Sequence, residues 1–147
     1  MGLGGVPLGD TREARSDTDV EAILEAVWRS WLRFFDTAPW YGHTKSEHRI
    51  GQFLRDKLRD ALKLSTEVGR LYGRPVAPDR WRETEHGQRW VGVLPFVPRF
   101  DYSGPGVLRF YEDGLQRRGM KRVDCLVIHD LDPLLQRGVA GVERGLD

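Results

Sequence analysis

Short apolar runs and amphipathic stretches take turns along this chain, and that alternation leaves few folds open. Leu3 to Leu8 reads as a short Gly-rich strand. Ser16-Asp17-Thr18-Asp19 then supplies a cap and early acids for a helix. Val20, Ile23, Leu24, Val27 and Trp31 follow at spacings of three and four, which makes one apolar helical face. Leu32 to Asp36 is a second strand. Ser46 and Glu47 open a second helix, with Ile50, Phe53, Leu54 and Leu58 on its apolar side. Leu62 to Val68 is a third strand. Val107, Tyr111 and Leu115 mark a third helix, which Gly119 stops at a left-handed position. Val123 to Ile128 is a fourth strand, unbroken and apolar, the pattern of a parallel strand covered on both faces. Strands separated by helical crossovers build a parallel sheet. The expected fold is therefore α/β, a partial (β/α)8 TIM barrel made of about its first four β/α units.

One domain over residues 1–147 is the default for this length. The 31% of charged residues carry a formal net charge of only +1, with basic and acidic groups interleaved, as in Arg80-Trp81-Arg82-Glu83. That balance gives no reason to expect a nucleic-acid or membrane partner. The lone cysteine, Cys125, excludes a disulfide within the chain and, inside Val123 to Ile128, reads as a small buried hydrophobe. The first residues have neither a basic start nor a long apolar run, and Val6 stands where a myristoylation signal needs Ser or Thr. A cytoplasmic protein is expected. One connection is long: residues 71–101 hold Pro75, Pro78, Pro95 and Pro98 with Trp81 and Trp90. It reads as a lid or pocket wall rather than a disordered or poorly packed insertion, because loops of this length are uncommon and often functional and its tryptophans need somewhere to pack. After Pro133 the pattern decays, and residues 133–147 read as a degenerate tail, a poor helix with several glycines.

Polar groups able to do chemistry fall at the C-terminal ends of the strands. Asp36 ends the second, with Tyr41 in the loop behind it; Glu67 is near the end of the third; His129 ends the fourth, followed by Asp130 and Asp132. In β/α barrels that face carries the active site. Taken one at a time, each has an ordinary structural reading: a turn cap, a packed ring, a core histidine. A metal-dependent hydrolase using His129, Asp130, Asp132 and Glu67 is weaker, since the spacing matches no established ligand set; no metal is expected.

In this arrangement the chain resembles the aldo/keto reductases, and within them the branch of D-threo-aldose 1-dehydrogenase, L-fucose dehydrogenase and pyridoxal 4-dehydrogenase. The resemblance rests on Phe35-Asp36-Thr37-Ala38-Pro39-Trp40-Tyr41-Gly42 and Ser46-Glu47-His48-Arg49-Ile50-Gly51. It continues through Leu64-Ser65-Thr66-Glu67-Val68-Gly69-Arg70, Phe100-Asp101-Tyr102-Ser103 and Val123 to Asp132. It implies an NAD(P)(H)-dependent redox reaction on an aldose or another small carbonyl or hydroxyl substrate. It also implies catalytic roles for Asp36, Tyr41 and His129, and a nicotinamide side of the cofactor near Gly5, Val6 and Asp36. In the family a tyrosine hydroxyl exchanges a proton with substrate, a lysine ammonium lowers that phenol's pKa, an aspartate holds the lysine, and a histidine orients the substrate oxygen.

Glu67 stands at the position of that lysine. A carboxylate beside a phenol disfavours phenolate where an ammonium favours it, so the substitution reverses the perturbation. It also makes Asp36 and Glu67 a like-charge pair, in which one tends to take a proton. Leu32 occupies a position that the resemblance expects to be a left-handed glycine. The family residues that grip pyrophosphate and adenosine lie on later strands. The expectation is thus a truncated, impaired oxidoreductase with an incomplete cofactor site. The alternative is a non-catalytic half-barrel that associates with itself or with a second half-barrel chain.

Overall fold

The computed structural model describes residues 1–74, 90–94 and 96–130. The elements run β1 (Leu3–Gly4), α1 (Asp17–Arg29), β2 (Phe34–Thr37), α2 (Lys45–Leu54), β3 (Lys63–Val68), β4 (Arg70–Gly73), β5 (Val97–Phe100), α3 (Gly104–Arg118) and β6 (Cys125–Ile128). The strands β1-β2-β3-β6 form one sheet in that order, every neighbouring pair parallel. Each crossover carries a helix or a short turn, so the sheet is an arc of a β/α barrel in sequential order. The register aligns Gly4 with Asp36, Asp36 with Ser65, and Glu67 with Val127. All the strand C-termini therefore open on one side.

Local chemistry explains the elements. Ser16 caps α1, its hydroxyl accepting from the Asp19 amide, and Ser103 caps α3 by accepting from the Gly106 amide. Gly119 ends α3 at φ 63°, a left-handed conformation that costs glycine nothing. The core lies between the sheet and its helices: Val20, Leu24, Phe35, Ile50, Leu54, Leu62 and Leu64 are each at most 2% exposed. Burial of that kind contributes about 1.5–3 kcal/mol per large aliphatic side chain.

Several expectations are corrected. The first strand ends at Gly4, and Val6–Gly9 forms a 3-10 turn, as Pro7 suits. Trp31 is 82% exposed, because α1 stops at Arg29; Trp28 takes the inward place, stacked on Phe35 and edge-on to Phe53. The left-handed residue after α1 is Trp31 at φ 64°, not Leu32. Leu58 is 81% exposed, since α2 ends at Leu54. The buried spine of α3 is Gly106, Phe110, Gly114 and Arg118, one residue off the expected face. β6 is exposed along its length, Cys125 included, because it is the edge strand and no described element covers its far side. The long connection begins and ends as an antiparallel ribbon of β4 and β5. Its residues 75–89 and 95, and the tail 133–147, lie outside the described residues. Among the described residues no helix is long and apolar enough to cross a membrane.

Candidate active site

Asp36, Tyr41, Glu67 and His129 come together at the C-terminal ends of β2, β3 and β6. Asp36 lies in β2 and Glu67 in β3, and the His129 amide continues the sheet by donating to the Val68 carbonyl at 3.0 Å. Tyr41 is presented by a tight turn in which the Tyr41 amide donates to Ala38 and the Thr44 amide to Pro39. Gly42 holds φ 68° there and packs on Gly9, where a Cβ would stand 2.4 Å from the Gly9 carbonyl oxygen. The Asp-Thr-Ala-x-x-Tyr-Gly run is thus one compact device for aiming a phenol.

Glu67 bridges the cluster. The Tyr41 hydroxyl donates to Glu67 Oε1 at 3.1 Å, and His129 Nδ1 pairs with Glu67 Oε2. The other ring nitrogen, His129 Nε2, lies 3.3 Å from Asp130 Oδ2. The Ser65 hydroxyl donates to Asp36 Oδ1. The Tyr41 and His129 rings meet edge to face at 6.0 Å.

The charges act as the sequence suggests. Burial, then the carboxylates of Glu67 and Asp36, push the Tyr41 phenol well above the ordinary tyrosine range. Burial also raises Asp36; Glu67 adds to the rise, while the Ser65 hydrogen bond and the nearby His129 oppose it. Among the described residues, the leading causes of the Tyr41 shift include no cation.

Gly5 and Val6 adjoin the cluster. A Cβ on Gly5 would meet the Asp36 carbonyl oxygen at 2.6 Å and Ser46 Oγ at 2.7 Å, so only glycine lets β1 end this close to Asp36. Ser46 fastens the spot by donating to the Gly5 carbonyl at 2.8 Å. Val6 packs on a hydrophobic cluster formed by Ala38, Trp40, Tyr41, Trp90 and Val93. Trp90 is 2% exposed and crosses Trp40 edge-on at 5.8 Å. Asp10 anchors this wall: its carbonyl accepts from the Val91 amide, and Lys45 bonds both the Asp10 carboxylate and the Val91 carbonyl.

Sequence reasoning passed over three groups here. Ser65 gave no signal beyond its strand position. Arg70, 1% exposed, donates to Asp130 Oδ2 at 2.7 Å and lies over Trp40 at 4.5 Å. The Tyr102 hydroxyl donates to the His129 carbonyl at 3.1 Å. Arg70 directly follows Gly69 at φ 113°, where a side chain would strike the Tyr102 ring; only that glycine hints at the crowding.

A phenol, an imidazole and carboxylates at strand ends suit the reacting end of a redox dinucleotide. The described residues do not extend that fit to its pyrophosphate. The N-terminus of α1 carries Asp17 and Asp19, and Asp101 fills the space over Gly106 at the start of α3. Acids at a helix start disfavour the phosphate that a helix N-terminus would otherwise attract. Asp132, part of the metal alternative, lies outside the described residues. Among those described, no group of three or more His, Cys, Asp or Glu side chains is placed to hold a metal ion.

The profile of the aldo/keto reductase family matches residues 1–143. Pyridoxal 4-dehydrogenase of Microbacterium luteolum is 42% identical over 138 residues, covering 89% of this chain and 39% of that protein. D-threo-aldose 1-dehydrogenase of a Pseudomonas species is 34% identical over 130 residues, covering 88% of this chain and 39% of that protein. Among solved structures, an aldo-keto reductase from Klebsiella pneumoniae in complex with NADPH superposes with a TM-score of 0.57 at 23% identity. It covers 87% of this chain and 34% of that one. The chain therefore spans about two fifths of the length of the curated relatives it matches.

Proposed function

Because the chain belongs to the aldo/keto reductase family, we propose that it serves NAD(P)(H)-dependent oxidoreduction of a small carbonyl or hydroxyl substrate, an aldose or a pyridoxal-like alcohol, with the usual phenol chemistry suppressed. The names of the two relatives support that substrate range, and the NADPH complex of the Klebsiella protein supports the cofactor. The observation that carries the reading is the convergence of Asp36, Tyr41 and His129 on Glu67. When bound, a nicotinamide supplies the acceptor or donor of hydride. This chain's residues would supply the rest: Gly5, Val6 and Asp36 flank the nicotinamide, Trp40 and Trp90 wall off water, and the polar cluster holds the substrate oxygen.

The impairment follows from charge. A general acid–base group works best with a pKa near the working pH, and the buried Tyr41 moves the wrong way, with Glu67 where a cation would correct it. The test is a titration of the purified chain with NADPH and with NADH, followed by cofactor fluorescence. It is paired with an assay of NAD(P)H formation from a D-threo aldose and from pyridoxal. Cofactor binding with slow oxidation is expected. No affinity for either nicotinamide dinucleotide would overturn the reading.

A further inference from the structure

We propose that Trp90 is a specificity-determining residue of this site, and that its indole N–H donates to a second oxygen of the substrate, on the carbon next to the one that reacts. The class it selects is an α-hydroxy carbonyl or its cyclic hemiacetal, of which an aldose is the polyhydroxylated example. The inference rests on the oxidoreductase reading above and deepens it.

An orphaned donor carries it. Trp90 is 2% exposed, and its Nε1 is buried with no hydrogen-bond partner among the described residues. An indole nitrogen only donates, and a buried tryptophan usually finds a partner for it. An N–H taken out of water and left unpaired carries the full cost of its lost hydration. The surroundings offer no acceptor. Trp90 packs with Ala38, Trp40, Tyr41 and Val93, and Val6 lies against the group. The only side-chain oxygen in that set is the Tyr41 hydroxyl, and it is not a partner of Nε1 either.

The ring is nonetheless held in this spot. The neighbouring Val91 donates its amide to the Asp10 carbonyl at 2.8 Å, and its carbonyl accepts from Lys45 at 3.2 Å. Lys45 is itself paired with the buried Asp10 carboxylate at 3.0 Å. Trp40 meets the Trp90 ring edge-on at 5.8 Å, and the Tyr41 ring lies 6.3 Å away, centre to centre. A phenylalanine would fill such an apolar place and leave nothing unpaired. A donor kept here without an acceptor is suited to one that arrives with the ligand.

Tyr41 belongs to both groups: its hydroxyl enters the polar cluster around Glu67, and its ring packs toward Trp90. A substrate oxygen held by the polar cluster leaves the neighbouring carbon on the Trp90 side. There a hydroxyl can accept from the N–H, and a bare methylene cannot. A buried polar group that a ligand leaves unpaired discriminates against that ligand.

The experiment reads that N–H directly. The chain has five tryptophans, so a 15N–1H spectrum of the labelled chain carries one indole signal for each. The Trp90 signal is the one lost in Trp90→Phe. If that variant does not fold, it is the one left when Trp28, Trp31, Trp40 and Trp81 are assigned by their own replacements. Without ligand it is expected at the position of an N–H that has no acceptor. It is expected to move downfield, saturably, with a D-threo aldose and not with the 2-deoxy form of the same sugar. The deoxy sugar is expected to bind at least about tenfold more weakly to the unaltered chain, and within about threefold of the aldose to Trp90→Phe. A signal already hydrogen-bonded without ligand, one pointing into the Trp40 ring and unmoved by sugar, or one moved equally by both sugars overturns the proposal. The spectra are recorded with and without NADP+, beside fluorescence titrations with NADPH and NADH. An unmoved Trp90 signal in a chain that binds the dinucleotide overturns the proposal alone. Absence of dinucleotide binding overturns the reading on which it rests.

Discussion

The Tyr41 hydroxyl donates to Glu67 Oε1 at 3.1 Å, so the phenol at the strand ends faces an anion at hydrogen-bonding distance. Replacing Glu67 by lysine removes that anion and installs a cation. A unit charge at about 4 Å counts for about 4 kcal/mol at an effective dielectric of about 20, or about three pH units of phenol ionisation at ~1.36 kcal/mol each. Alkaline ultraviolet titration of Glu67→Lys, differenced against the same variant carrying Tyr41→Phe, should show a phenol ionising far earlier than in the unaltered chain. In that background Tyr41→Phe should also become damaging to turnover. A titration curve unmoved by Glu67→Lys would show that burial, the larger cause of the raised phenol pKa, acts alone.

Asp36 gives a prediction in pH. Its folded pKa is raised, chiefly by burial and further by Glu67, so the folded state favours the protonated acid. The sign follows: its favourable contribution is complete below the unfolded value near 3.8 and is lost as pH rises through the higher folded value. Asp36→Asn keeps an oxygen to accept from Ser65 and removes the charge. Its melting temperature should exceed that of the unaltered chain at pH 7 by a few degrees, and the gain should vanish below about pH 4. Thermal melts at the two pH values check it. A gain equal at both would show that ionisation of Asp36 is not the cause.

What was legible in the sequence was what periodicity and strand order carry. The alternation placed α1, α2 and the parallel strands, and their ends brought Asp36, Tyr41, Glu67 and His129 to one face. What stayed hidden depended on partners distant in sequence. Apolar spacing put the α3 face on Val107, Tyr111 and Leu115. The buried line runs instead through Gly106, Gly114 and Arg118, residues whose place is set by close approach and an ion pair rather than by hydrophobicity. Val123 to Ile128 reads as covered on both faces because composition records that a strand is apolar, not which elements flank it. Arg70 could not be foreseen because its partners, Asp130 and Trp40, come from other loops.

Trp31 turns one such miss into a prediction. It sits at φ 64° just past α1, with its side chain 82% exposed. A left-handed conformation costs a non-glycine residue about 1–2 kcal/mol. The Arg33 guanidinium lies 5.1 Å from the Trp31 ring, and an exposed contact of that kind returns only about 0.5–1 kcal/mol. Trp31→Gly should therefore stabilise the fold modestly in urea denaturation, less the extra entropy of a glycine in the unfolded chain. Leu32→Gly, at the position first expected to be strained, should bring no such gain.

The pairing of α2 with α3 rests on a buried charge. Glu47 and Arg118 are both fully buried; Arg118 donates to Glu47 Oε1 and to Thr66 Oγ1, while Arg117 donates to Glu47 Oε2 at 2.6 Å. The helices meet closely here: a Cβ on Gly51 would lie 2.5 Å from the Arg118 backbone. Removing one member of such a pair strands the other, at about 3–5 kcal/mol. That is a large share of the about 5–15 kcal/mol by which domains are stable. Glu47→Ala should therefore lower the urea midpoint sharply. The double variant Glu47→Leu with Arg118→Met should recover much of the loss, because apolar residues of similar volume replace a buried pair at little net cost. If the double variant is as unstable as Glu47→Ala, the destabilisation comes from altered packing at Gly51 rather than from the uncompensated guanidinium.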